Sequence, residues 1–60
     1  MQTSARDEAL LEEIAQIFDM YASDSRAMAA RGYSKKANMA RAVVWDEAAA
    51  DVRSIKLVQP

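Results

Sequence analysis

The chain has 60 residues, a formal net charge of −1, and neither cysteine nor histidine. It is therefore one domain at most, 1–60. Many domains of this size are stabilised by disulfides or by thiolate or imidazole metal sites, and this chain can form neither. Oligomerisation is the remaining means of stabilising so small a fold. The slightly acidic charge argues against general attraction to nucleic acid, and no apolar run approaches the ~20 residues of a membrane span.

The composition is rich in alanine and long apolar residues and holds one glycine and one proline, which favours helix. The N-terminus has no basic start followed by an apolar segment, as a signal peptide would have. Together with the absence of cysteine, this leads us to expect a cytoplasmic protein that contacts no membrane. We expect no catalytic residue, no cofactor and no metal.

The first helix is predicted from about residue 4 to residue 31, with Ser4 or Thr3 as N-cap. Asp7 and Glu8 follow in the first turn, where negative charge favours a helix start. Apolar residues then recur at helical spacings. The centre of their stripe is Leu10, Ile14, Ile17, Tyr21 and Met28, and its flank is Leu11, Ala15, Phe18, Ala22 and Ala29. The stripe covers about 160°, more than the roughly 100° that one surface helix needs to bury.

A turn follows at Gly32, because glycine just past the last helical turn adopts the left-handed conformation without steric cost. Tyr33 is expected to pack back on the helix end, and Ser34 is the next predicted N-cap. A connection this short joins antiparallel neighbours. The predicted fold is therefore an all-α helical hairpin.

The second helix is predicted from about residue 35 to residue 57. One of its faces carries Ala37, Val44, Trp45, Ala48, Val52 and Ile55, with Arg41 among them. A smaller apolar strip, roughly opposite, is made of Met39, Val43, Ala50 and Leu57. An exposed strip of this kind normally marks a contact with another chain.

These apolar surfaces exceed what two helices cover, so we expect a homodimer in which two hairpins form a four-helix bundle. The predicted dimer or partner interface is Leu11, Phe18, Met39, Val43, Ala50 and Leu57. Within one hairpin, the acidic start of the first helix is expected beside Arg53 and Lys56. A two-fold arrangement with turns at opposite ends also brings that acidic start to the partner's basic turn.

Five basic residues surround the turn and form the predicted partner- or anion-binding cluster: Arg26, Arg31, Lys35, Lys36 and Arg41. Lys35 and Lys36 begin the second helix, where the helix dipole disfavours cations. An acidic partner subunit, an acidic surface of another protein, or a nucleic acid would compensate. The first of these is the least specific explanation and the one we favour.

The sequence thus predicts a small non-enzymatic protein–protein interaction or regulatory protein that presents a helix face or the basic turn to a larger protein target. Adaptors and inhibitors of this size are frequent in bacteria, phages and plasmids. The alternative is an RNA- or DNA-binding dimer that uses the basic cluster. Small helical-hairpin dimers of the Rop type bind RNA along their helix faces, but the analogy is one of fold only, because no residue motif here matches them.

Overall fold

Two α-helices joined by a short turn make up the computed structural model, which describes residues 5–55. The first helix, α1, spans Ala5–Ala30, and the second, α2, spans Lys35–Ser54. They pack against each other in opposite directions, with residues near the start of α1 contacting the end of α2. The predicted all-α hairpin is confirmed at this level.

The first turn of α1 contains Asp7 and Glu8, as expected for a helix start. The predicted start at residue 4 and the candidate caps Thr3 and Ser4 lie outside the described residues. The helix then continues without interruption to Ala30, one residue before the predicted end. At about 1.5 Å per residue, its 26 residues are about 39 Å long.

Gly32 ends α1, as predicted. It has a φ of 85°, in the left-handed region that glycine adopts readily. Its N–H donates to the carbonyl of Ala29 at 3.0 Å, and the N–H of Tyr33 donates to the carbonyl of Met28 at 3.0 Å. This pair of bonds is the Schellman motif, which satisfies two carbonyls that the helix end leaves open. A β-carbon at Gly32 would meet no atom within 4 Å, so the backbone conformation alone favours glycine.

Ser34 precedes α2 at the predicted N-cap position but does not cap with its side chain. Its backbone is left-handed, with φ 39° and ψ 52°, and its hydroxyl forms no capping hydrogen bond. This conformation costs a non-glycine residue roughly 1–2 kcal/mol. Instead, the buried Asn38 holds the turn: its side-chain amide donates to the Tyr33 carbonyl at 2.7 Å, and its N–H donates to the Ser34 carbonyl at 2.8 Å. The predicted cap is therefore correct in position and wrong in mechanism.

The second helix ends at Ser54, three residues before the predicted end at 57. Ile55 is extended, with φ −64° and ψ 127°. The Ser54 hydroxyl donates to the carbonyl of Asp51 at 2.8 Å, a local bond of the kind with which serine competes against helix continuation. Leu57 lies outside the described residues.

The contact between the helices is a seam of alanines. Ala15, Ala22 and Ala29 recur every seven residues on α1, and Ala42 and Ala49 do so on α2; each is at most 3% exposed. Ser25 and Asn38 are the buried polar residues of the described chain. Side chains this small allow helix axes to approach to about 8 Å, the short end of the usual range.

This seam differs from the predicted packing. On α1 the expected centre of the stripe does not face α2, and the alanine-rich flank of the stripe does. On α2 the buried residues Asn38, Ala42 and Ala49 belong to neither predicted apolar cluster. The reason is size: a periodicity count gives large residues most weight, whereas close packing of two helix backbones selects the smallest side chains.

The hairpin consequently has little interior of its own. Its principal extents are 48 × 16 × 8 Å, a single layer of two helices. Within residues 5–55, every buried apolar residue is an alanine, and no large side chain is fully buried. A methyl group contributes only about 0.8 kcal/mol when it leaves water.

Candidate functional site

The two broad surfaces of the hairpin differ in their chemistry. Successive helical residues are rotated by about 100°, so the position of a residue relative to the alanine seam decides on which surface it lies. One surface is the charged face. Its α1 residues each stand three positions before a seam alanine, and its α2 residues each stand four positions after one. They are Glu12, Asp19, Arg26, Asp46 and Arg53.

Ion pairs connect the helices across the charged face. Arg53 binds two carboxylates of α1: its Nη2 lies 2.8 Å from Glu12 Oε2 and 2.7 Å from Asp19 Oδ2, and its Nε donates to Glu12 Oε1 at 3.0 Å. Nearer the turn, Arg26 forms an ion pair with Asp46. The predicted proximity of the acidic start of α1 to Arg53 is confirmed for Glu12.

These pairs shift the pKa values of their members. Hydrogen bonds from Arg53 hold the pKa of Glu12 below its usual value of 4.5, and hydrogen bonds from Arg26 hold the pKa of Asp46 below 3.8. The pKa values of Arg53 and Arg26 are raised in turn, chiefly by hydrogen bonds to the same carboxylates. All these groups are solvent-exposed, so each pair contributes little to stability, and the contribution is screened by salt.

We expect the free energy of unfolding to fall as the pH drops below about 4.5. A carboxylate whose pKa is depressed by folding stabilises the folded state above its unfolded pKa and loses that contribution as pH falls through the folded pKa. For Glu12 and Asp46 this decrease begins near 4.5 and 3.8. Urea unfolding at pH 7 and pH 3 measures the loss, and Arg53→Gln should reduce it. An identical pH dependence in that variant would mean that the Arg53 pairs do not form in solution.

The opposite surface, the apolar face, consists of large side chains from both helices. Ile14, Tyr21 and Met28 each precede a seam alanine by one residue, so they point away from the charged face. The whole face is Leu10, Ile14, Ile17, Tyr21, Met28, Val44 and Ile55, each between 40% and 59% exposed. Monomeric proteins seldom leave so many contiguous apolar side chains in water, and such surfaces mark contacts with other molecules.

An aromatic cluster lies between the seam and the apolar face. The ring of Trp45 on α2 stacks on Phe18, with centroids 5.4 Å apart, and contacts Tyr21 at 5.0 Å. Phe18 and Trp45 are half-buried, whereas Tyr21 keeps 44% of its surface exposed. The cluster fills one flank of the narrow alanine seam and leaves the outer part of the apolar face uncovered.

The residues of the predicted interface are spread over different surfaces. Leu11 and Phe18 are half-buried beside the seam. Met39 and Val43 are exposed, at 45% and 50%, and Ala50 is exposed as well, on the side of α2 that carries the charged face. The α1 residues of the apolar face are the predicted centre of the stripe, and its α2 residues, Val44 and Ile55, belong to the first predicted cluster of α2. None of them is in the predicted interface.

The five residues of the predicted basic cluster differ in whether other side chains engage them. Arg26 is engaged by Asp46, and Arg41 donates to Asn38 Oδ1 at 3.4 Å. Arg31, Lys35 and Lys36 are exposed and form no ion pair with any described residue. The predicted cluster is therefore divided between two engaged arginines and three exposed cations.

Other kinds of site have less support in the described residues. No group of three or more acidic side chains there is arranged to hold a metal ion. Neither described helix is long and apolar enough to cross a bilayer. A groove of about 360 Å³ at the open end of the hairpin is lined by Glu8, Leu11, Glu12, Arg53 and Ile55. Its arginine is already paired with carboxylates, so the groove presents no uncompensated cation to a ligand.

Comparisons with known proteins add no family to this description. No protein-family model matches the sequence, and no curated protein or solved structure is significantly similar to it. The two faces and the turn are therefore the features from which a function can be inferred.

Proposed function

We propose that the protein is a non-enzymatic protein–protein interaction protein that acts as a homodimer, in which two hairpins pack their apolar faces together into a four-helix bundle. The observation that carries this proposal is the apolar face itself. Seven large side chains keep 40–59% of their surface exposed, while the buried apolar residues within 5–55 are five alanines. A second layer of helices is the simplest cover for such a face.

The dimer would leave the charged faces and the basic turns on its outside. We infer that these outer surfaces bind a larger protein target, as adaptors and inhibitors do. The ion pairs of the charged face neutralise most of its charges. The exposed cations Arg31, Lys35 and Lys36 would then select an acidic surface on the target.

Sedimentation equilibrium tests the dimer directly. We expect a mass of twice the 6.6 kDa chain at micromolar concentration, with reversible dissociation on dilution. A cooperatively folded monomer at the same concentration would contradict the proposal.

A second candidate, an RNA- or DNA-binding dimer of the Rop type, is favoured by one observation: Arg31, Lys35 and Lys36 lie close together in the chain and have no ion-pair partner among the described residues. Phosphate contacts release counterions, so retention on immobilised nucleic acid would fall steeply between low and moderate salt. Absence of retention at low salt would remove this candidate.

The double variant Lys35→Glu with Lys36→Glu separates structure from binding at the turn. Both lysines begin α2, so the change should stabilise the helix by about 0.3–1 kcal/mol for each residue through the helix dipole. Thermal unfolding followed by circular dichroism measures this gain, and Lys35→Gln with Lys36→Gln should show about half of it. If the glutamate variant also loses nucleic-acid retention, the turn is the binding site. Unchanged retention would place the binding elsewhere.

A further inference from the structure

Three charged residues interrupt the apolar face, one on α1 and two on α2. On α1 a row with spacings of four and three contains Leu10, Ile14, Ile17, Tyr21, Asp24 and Met28. On α2 a row with the same spacings contains Ala37, Arg41, Val44, Ala48, Asp51 and Ile55. Asp24, Arg41 and Asp51 are exposed, and none of them forms an ion pair with a described residue.

The turn and the aromatic contacts set the heights of these rows. Ala30 ends α1 and Lys35 begins α2, and Trp45 meets both Phe18 and Tyr21. Because α1 and α2 rise equally per residue in opposite directions, residues at the same height follow by counting from the turn, whereas the long side chains of Arg26 and Arg53 also reach carboxylates beyond their own level. The level pairs are Leu10 with Ile55, Ile14 with Asp51, Ile17 with Ala48, Tyr21 with Val44, Asp24 with Arg41, and Met28 with Ala37.

We propose that the second copy covers the apolar face in the opposite direction, with its turn at the other end of the bundle, and that Arg41 of each copy contacts Asp51 of the other. This inference rests on the proposed homodimer and adds its orientation and the residues that select it.

A two-fold axis that lies in the interface, perpendicular to the helices, aligns both rows at once. On α1 the midpoint of the row lies between Ile17 and Tyr21, and on α2 it lies between Val44 and Ala48. These midpoints are at the same height, so a single axis through them superimposes each row on its copy without a shift. Leu10 then lies over the partner's Met28, and Arg41 lies over the partner's Asp51. Asp24 lies over the partner's Ile14 and gains no charged partner in this arrangement.

Charges at the ends of the hairpin favour this direction as well. One end carries the exposed cations Arg31, Lys35 and Lys36, and the other carries the acidic first turn with Asp7 and Glu8. Opposed copies bring the basic end of one to the acidic end of the other. Copies in the same direction would place like charges together at both ends, which is unfavourable for a specific interface.

If the two copies ran in the same direction, with both turns at one end, Arg41 and Asp51 would have different neighbours. Substitutions at these two residues therefore distinguish the two arrangements. With both turns at one end, α1 lies over the partner's α2, so Arg41 meets the partner's Asp24 while Asp51 lies over Ile14. Asp51 therefore matters to orientation only when the copies are opposed.

The test compares Arg41→Asp and Asp51→Arg, alone and mixed. We expect each variant alone to self-associate roughly 10- to 100-fold more weakly than the wild type, because two like-charge contacts form in each dimer. An equimolar mixture should recover a heterodimer of near wild-type affinity, because each chain then supplies the charge that the other lacks. Sedimentation of labelled chains measures both. Glu47→Arg, which points away from both faces of α2, is the matched control and should associate normally.

Cysteine cross-linking provides a second readout, since the chain has no cysteine of its own. Mixed Leu10→Cys and Met28→Cys chains should form a disulfide-linked heterodimer on mild oxidation, and Leu10→Cys alone should not cross-link. A wild type that is monomeric would overturn the proposed homodimer. A dimeric wild type with normal association of Asp51→Arg, or with cross-linking of Leu10→Cys alone, would overturn the opposed orientation and leave the dimer intact.

Discussion

Replacing Ile17 by aspartate should dissociate the dimer and, at low micromolar concentration, unfold most of the chain. Ile17 is 44% exposed on the apolar face, and it lies next to the midpoint of the proposed interface. The two-fold symmetry of the proposed dimer would place two unpaired carboxylates in its interior. We expect association to weaken by roughly 100-fold or more, which is about 3 kcal/mol.

The matched control is Met20→Asp. Met20 is 58% exposed, and it lies on the outer edge of α1, away from both the seam and the apolar face. The same chemical change at this position should leave the mass and the melting temperature close to those of the wild type. Equal effects of the two variants would show that the aspartate acts through α1 itself and not through an interface.

Unfolding of the wild type should also depend on protein concentration. A dimer whose separate hairpins are barely stable gains apparent stability by mass action, so its melting temperature rises with total concentration. Circular dichroism melts over a hundredfold concentration range measure this. A constant melting temperature would mean that the hairpin folds without a second copy.

Enlarging the alanine seam should be as damaging as charging the apolar face. Ala22 is 1% exposed at the middle of the seam, and leucine there would need space that two closely packed backbones do not provide. Overpacking of this kind typically costs about 1–3 kcal/mol. For a domain of this size, each kcal/mol lowers the melting temperature by roughly 4–8 °C.

Ala27→Leu is the control for that experiment. Ala27 is exposed on the outer edge of α1, and leucine is nearly as good a helix former as alanine. The control should therefore melt near the wild-type temperature. If Ala22→Leu were instead more stable than the wild type, the helices would be further apart than the buried alanines imply.

The hairpin could be predicted from the sequence because its signals are local. Gly32 ends α1 through its backbone conformation, and the short connection to α2 forces the helices to be antiparallel neighbours. The side of α1 that faces α2 could not be predicted in the same way. Leu10 and Leu11, or Ile14 and Ala15, are adjacent in sequence, so both the large and the small rows have the periodicity of a buried stripe.

The candidate site shows the same division between local and tertiary information. The proximity of Arg53 to Glu12 followed from antiparallel packing and charge. The pairing of Arg26 with Asp46 did not, because the rotation of both helices about the seam decides which side chains meet across it. Asn38 was missed because its role, a hydrogen bond to the Tyr33 carbonyl, exists only once the turn has formed.

If the protein is the proposed dimer, the small interior of each hairpin links its abundance to its survival in the cell. A solitary chain would spend much of its time open, and open chains are cut by proteases in proportion to their population. A chain that has found its copy is protected. We therefore expect the level of intact protein to rise more steeply than its rate of synthesis, so that small changes in expression act as a threshold.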